Sequence, residues 1–386
     1  MTPAALPRRL TITAPSAHHE TVASYLARLA ALNSLDGDEL WLRISASDPT
    51  PSRRTVDIRQ LAALTGRPAG HLAGALLELR DPPPAWPAFR HNPQVGCPRC
   101  DARHPGGPVY RLLPHHRYAC TRHHRWIGPP DVNRPGPDTS AFPAITTAQR
   151  RHLALVRRHG WAAAYDAVLT GFMICGHLWD KRPDDDEPPV RRLMRIKWDV
   201  HALTLIPEGA ERTAFTASLL FAAIYPDAVA IAAILASPHW RKLAAGDDLD
   251  LSRFAAAIGP RIGDPHYQPS DHADPVAHWI EQDCWRPPSP PPTTFPQAPG
   301  HRRPSHLAKT VTAASINRHQ RAAFWFGRNR RAGSVILHHR TVQPVLVREW
   351  SVKMERYAGA IWQSQRTLER FKTPEKKSRP HARPFE

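Results

Sequence analysis

The stretch "GCPRCDARHPGGPVYRLLPHHRYACTRHHRW", residues 96–126, holds two cysteines separated by two residues and, after nineteen intervening residues, a third cysteine followed by a histidine at the same spacing. Cys97, Cys100 and Cys120 are an odd set in a chain with only five cysteines, which argues against a disulfide framework. Two tight turns that each present a pair of soft ligands suit one tetrahedral Zn²⁺, so Cys97, Cys100, Cys120 and His123 are the predicted ligands of a single structural zinc ion. His124, one residue off the matching spacing, is the rival fourth ligand; His104, His115 and His116 lie further from it. Four strong donors leave no open position for water, and no acid is expected close by to serve as a general base, which favours a structural site over a catalytic one.

Working outward, Gly106-Gly107-Pro108 supplies a turn, "VYRLL" reads as a strand, and "RYACTRHH" reads as the return strand into the second knuckle. That arrangement is a zinc ribbon. The alternative is a set of ordinary buried thiols beside a histidine-rich loop.

Beyond the ribbon the pattern is helical. In "HETVASYLARLAAL" Val22, Tyr25, Leu26 and Leu29 fall at i, i+3, i+4 and i+7, one buried stripe. "DIRQLAALTG" ends at Gly66, a C-cap, and "PAGHLAGALLELR" restarts with Pro68 near its first turn. The two could form a helix-turn-helix, but the second helix offers only His71 and Arg80 to a groove, so plain packing is an equal reading. "TTAQRRHLALVRRHG" opens on a capping box, Thr146 and Gln149. "TAFTASLLFAAIYPDAVAIAAILAS" is broken by Pro226-Asp227 and reads as two buried helices instead of a membrane span. Cys175, His177 and Cys284 are too scattered for a second metal site, and Asp184 to Glu187 read as a solvated loop. Forty-two prolines mark the joints. The expected fold is mainly α with a small β zinc ribbon, a multi-domain helical protein. Its expected parts are an N-terminal helical domain (1–87), the ribbon (88–127), a second helical domain (128–285), a proline-rich linker (286–300) and a basic C-terminal region (301–386).

Lysine and arginine number 52 against 34 acids, a formal charge of +18 that favours a polyanionic partner. Residues 301–386 hold 19 of those cations and five acids. Within them Arg318, Arg321, Arg328, Arg330 and Arg331 interleave with Phe324, Trp325 and Phe326, a mixture suited to phosphate contact with base stacking. The aromatics read better as the core of a helix whose other face is solvated arginine, while so many like charges call for DNA or RNA. Arg150, Arg151, Arg157 and Arg158 add a second basic stripe.

The order of "RRLTITAPSAHHETVASYLARLAALNSL", "LAALTG", "CPRC", "YRL" and "CTRH" over roughly residues 6–127 resembles the TniQ/TnsD family of transposition proteins. The resemblance implies a non-catalytic zinc-containing target selector of bacterial transposons. Such a protein binds attachment-site DNA or docks on an RNA-guided effector complex, and recruits an AAA+ ATPase and through it a transposase; its N-terminal helices and ribbon are the module expected to touch those partners. Residues here depart from the family pattern at Thr121 and His124. A homodimer is compatible with all of this.

Two other readings stay open. No Walker A loop, H-E-x-x-H or G-x-S-x-G occurs, so an enzyme reading rests on a nuclease or transposase with dispersed carboxylates. A zinc-containing transcriptional regulator would bind an operator and need no ATPase. No apolar run at the N-terminus suits a signal peptide, so the expected location is the cytoplasm, with reduced thiols and no membrane partner.

Overall fold

A computed structural model describes residues 7–47, 54–90, 93–128, 136–180, 188–206, 217–269, 274–287, 303–305, 326–328 and 335–337. The protein is mainly helical, and its strands form only short antiparallel pairs among the described residues.

Helix α1 (Val22–Leu32) starts where the Thr21 side chain accepts the Ser24 N–H. Its stripe of Val22, Tyr25, Leu26 and Leu29 is fully buried, as the periodicity predicts. α2 (Gly37–Ile44), capped by Asp36, leads into β1 (Ser45–Ser47), which pairs with β2 (Arg54–Val56). α3 (Ile58–Thr65) closes on Gly66 in the left-handed region at φ 65°, the expected C-cap. α4 (Ala69–Ala75) has Pro68 as its N-cap, beside its first turn as expected. Leu26, Trp41, Leu61 and Leu72 bring these helices onto one apolar core.

The middle segment holds β3 (Gln94–Val95), the short helical turn α5 (Pro98–Asp101), β4 (Tyr110–Arg111), β5 (Ala119–Cys120) and β6 (Arg125–Trp126). The strands pair differently from the sequence expectation. Instead of "VYRLL" running against "RYACTRHH", β4 pairs back with β3 and β5 pairs forward with β6. Each metal-ligand knuckle is therefore closed by its own two-residue ladder. Residues 114–117 turn away between the two ladders, since Pro114 bridges to Phe89 and its carbonyl accepts the Arg117 N–H.

The larger core is built by α6 (Ala144–His159), α7 (Trp161–Asp180), α8 (Pro189–Thr204), α9 (Ala217–Leu235), α10 (Pro238–Ala244), α11 (Asp248–Ile258) and α12 (Pro275–Gln282). α9 corrects the sequence reading of two helices, because it passes through Pro226 unbroken. A proline inside a helix removes one N–H from the ladder. Here α8 grips the site, with Trp198 Nε1 donating to Asp227 at 2.6 Å, Lys197 pairing with the same carboxylate at 2.8 Å, and His201 reaching the Ala223 carbonyl. α7 and α9 approach so closely at Gly171 that a Cβ there would stand 2.3 Å from the Ala228 carbonyl oxygen. Among the described residues no single helix is long and apolar enough to cross a membrane.

Two further expectations change. α6 begins at Ala144 behind Pro143, and Thr146 and Gln149 are buried inside it instead of capping it. Phe326 opens a strand instead of lying in a helix, β7 (Phe326–Arg328), paired with β8 (Val335–Leu337). Phe324, Trp325, Asp184 to Glu187 and the linker from 288 to 300 lie outside the described residues.

Candidate metal centre

Cys97 ends the loop after β3, and its carbonyl accepts the N–H groups of Cys100 and Asp101 at 2.9 and 3.0 Å. That tight turn points both thiols of the first knuckle the same way. The second knuckle is the turn from β5 to β6, which presents Cys120 and His123. The four ligand atoms all lie within 4.8 Å of one another. His123 Nδ1 stands 3.2 Å from Cys100 Sγ, 3.5 Å from Cys97 Sγ and 3.8 Å from Cys120 Sγ, and the sulfurs of Cys100 and Cys120 are 3.8 Å apart. A tetrahedron with metal–sulfur bonds of about 2.3 Å and a metal–nitrogen bond of about 2.0 Å has edges of about 3.5–3.8 Å, so the four donors can fit one metal ion.

Among themselves the three sulfurs hold charge unequally. Hydrogen bonding from Cys97, and then from the backbone of His123 and Arg122, draws the Cys120 thiol down to about 4. Its bond to Cys120, then burial, pushes Cys97 up; burial and the neighbouring Cys120 charge push Cys100 up. Three sulfurs this close cannot all ionise without a cation between them. A metal ion held between them would supply that cation.

The rival histidines are accounted for elsewhere. His124, at φ 48°, turns its ring to Thr146 on α6, with Nδ1 to Oγ1 at 3.1 Å, while its carbonyl accepts the Thr139 N–H at 2.7 Å. His104 Nδ1 lies 3.2 Å from the Pro15 carbonyl oxygen, and His115 packs on Tyr165. One expectation fails: an acid does lie beside the cluster. Asp101 follows Cys100, but its carboxylate is paired with Arg111 on β4, which ties the first knuckle to its own ladder.

Two clamps hold the centre, and neither stands out in the sequence. The first is the buried pair of Glu20 and Arg28, in which both carboxylate oxygens accept from one guanidinium at 2.8 Å. Arg28 also donates to the Pro105 carbonyl at 2.8 Å, and the adjoining Gly106, at φ 100°, leaves no room for a Cβ, which would sit 2.5 Å from the Arg28 carbonyl oxygen. Thr21 N–H donates to the Tyr110 carbonyl, so α1 and β4 are joined by backbone as well. The second clamp is Gln149, whose Oε1 accepts the N–H groups of Tyr118 and Ala119, both at 2.8 Å, and whose Nε2 donates to the His116 carbonyl at 2.8 Å. Tyr118 and Trp126 then pack on Tyr225 of α9 at centroid distances of 5.1 and 5.3 Å. The only sequence signal for the first clamp is Arg28 on the otherwise apolar face of α1, with Glu20 just ahead of the helix.

Of the expected nucleic-acid residues, Arg150, Arg151, Arg157 and Arg158 are all exposed on α6. Arg328 lies in β7, and Arg318, Arg321, Arg330 and Arg331 lie outside the described residues. Cys175 and Cys284 are buried in the larger core. No protein-family model, curated protein or solved structure matches the chain.

Proposed function

We propose that this chain is a non-catalytic, zinc-holding nucleic-acid-binding protein that selects the target site of a bacterial transposon and recruits its AAA+ ATPase and transposase. The observation that carries the reading is a closed set of three cysteines and one histidine, set by two knuckles between an N-terminal helical unit and a larger helical core. The motif order that resembles the TniQ family runs through the same segments. Three thiolates and an imidazole suit zinc over harder or more weakly bound cations. Zinc in such a closed set supplies folding energy and no open coordination position. The knuckles then form one rigid joint through which the two helical parts present their surfaces together. The excess of 18 positive charges supports a nucleic-acid partner.

The test has three parts: metal content of the purified protein, binding to duplex DNA across a salt series, and capture of an ATPase encoded beside it. One zinc per chain, salt-dependent DNA binding and a bound neighbouring ATPase are expected. DNA binding confined to an operator, with no transposase or ATPase gene nearby, would replace this reading with that of a transcriptional regulator.

A further inference from the structure

Away from the metal cluster, cations gather at the seam where residues 18 and 19 meet the end of α4 and the turn before β5. His19 has φ 61°, a conformation that a non-glycine residue rarely adopts and that the surroundings must hold in place. Its N–H donates to the Ala75 carbonyl at 2.8 Å and its carbonyl accepts the Leu112 N–H at 2.9 Å. Held this way, His18 and His19 stand with ring centroids 3.8 Å apart, and Phe89 meets His19 edge-on at 5.3 Å.

Two arginines lie near enough to this seam to act electrostatically on both His18 and His19. Arg80 donates to the carbonyls of Ala73 and Gly74 at 3.3 and 2.8 Å, directly before the Ala75 carbonyl that holds His19. Arg117 follows Pro114, which bridges to Phe89, and its own carbonyl is held by buried Arg90 at 2.6 Å, so its backbone is fixed while its side chain is exposed. Burial, and then the surrounding cations, hold His19 down at about 3 and lower His18 too, so both imidazoles are neutral donors. Of the acids nearby, Asp101 pairs with Arg111 and Glu78 accepts the Val22 N–H, while exposed Asp81 follows Arg80 without an ion pair among the described residues. Arg80 and Arg117 enter no ion pair among the described residues.

Two guanidiniums beside two neutral imidazoles make a cluster of donors that an anion with several acceptor oxygens would satisfy. We infer that His18, His19, Arg80 and Arg117 seat a backbone phosphate of bound nucleic acid. The inference rests on the nucleic-acid reading above and gives it a surface on the described fold, apart from the basic C-terminal region. A phosphodiester is favoured over an acidic protein because its two non-bridging oxygens and its ester oxygens are arranged tetrahedrally and can meet forked and ring donors from several directions, whereas the two oxygens of a carboxylate lie in one plane.

The test is fluorescence anisotropy of a labelled mixed-sequence DNA duplex against the full-length chain over a salt series. Arg117→Glu is the main variant because that side chain is exposed and enters no ion pair; Arg80→Gln and His18→Ala accompany it, and circular dichroism checks folding. Arg117→Glu should weaken binding roughly tenfold and reduce the slope of log K against log salt by about 0.9. Unchanged affinity and slope in folded Arg117→Glu and His18→Ala, with wild type binding DNA, would overturn this site and leave the proposed function standing. If the variants keep DNA binding but no longer bind polyglutamate, the site is also overturned and the seam belongs to an acidic protein. Wild type that binds no nucleic acid would instead remove the proposed function, and this site with it.

Discussion

At the scale of single residues, His123 and His124 are chemically identical neighbours with different tasks. Only His123 faces the sulfurs, while His124 bonds Thr146. His123→Ala should therefore abolish stoichiometric metal, as should Cys97→Ser and Cys120→Ser, whereas His124→Ala should keep the metal and give up only its bond to α6; metal analysis of the purified variants decides it. Equal retention in both histidine variants would contradict the assignment. Glu20 and Arg28 are both fully buried, so Glu20→Gln leaves a guanidinium without its counter-charge and should cost about 3–5 kcal/mol in chemical denaturation. Protonation gives a third prediction. His152 is buried beside Tyr225 with its pKa held down at about 3 by burial, and His116 is held at about 4 for the same first reason. An unfolded histidine binds its proton near 6.5, so below that pH the unfolded state takes up protons that the folded state refuses. Stability should fall as pH drops from about 6.5 towards 4, by about 1.4 kcal/mol per pH unit for each such histidine. His152→Gln should flatten that slope in acid denaturation curves.

Elements meet at Gln149. One side chain on α6 completes the backbone bonding of the strand that carries Cys120, so the knuckle depends on a helix that begins two dozen residues later. Gln149→Ala would strand two buried N–H groups, at about 1–3 kcal/mol for each. The expected result is a lower denaturation midpoint together with faster hydrogen exchange at Tyr118 and Ala119. Unchanged exchange at those amides would mean that β5 is held by its ladder to β6 alone. Gly171 has a comparable place between α7 and α9, where a side chain would push two core helices apart.

Across the whole molecule, the metal centre is fastened to both apolar cores, to the smaller through Glu20, Arg28 and Thr21 and to the larger through Gln149, Tyr118 and Trp126. Loss of metal should therefore be felt in both helical parts, and not only between residues 88 and 127. Charge is distributed differently: residues 301–386 contribute 14 of the 18 net positive charges. Removing them should weaken binding to all DNA sequences and flatten the salt dependence, by about 0.9 in slope for each phosphate that is no longer neutralised. Sequence preference, if it comes from α3, α4 or α6, should survive the truncation as a weaker but selective footprint. Charge reversal at Arg328, Arg330 and Arg331 in the intact chain separates phosphate binding from folding. An unchanged slope there would move the nucleic-acid surface to the described fold.

The ligand set was legible in the sequence because a metal site demands donors at fixed short spacings, and two x₂ pairs leave little else for them to do. The α1 stripe and the Gly66 cap were legible for the same reason, since helix periodicity and the left-handed cap are local rules. Which strand pairs with which was not local. β4 chose β3, and β5 chose β6, because the turn at Pro114 and the Gln149 clamp separate two stretches that composition alone would have paired. Thr146 and Gln149 look like a capping box in one dimension and are buried partners of the knuckle in three. Pro226 disfavours an isolated helix, yet α9 runs through it buried against α7, with Trp198 and Lys197 of α8 holding the adjoining Asp227. Short-range geometry is written in spacing, whereas the satisfaction of buried polar groups depends on partners distant in sequence, and only the packed structure brings those together.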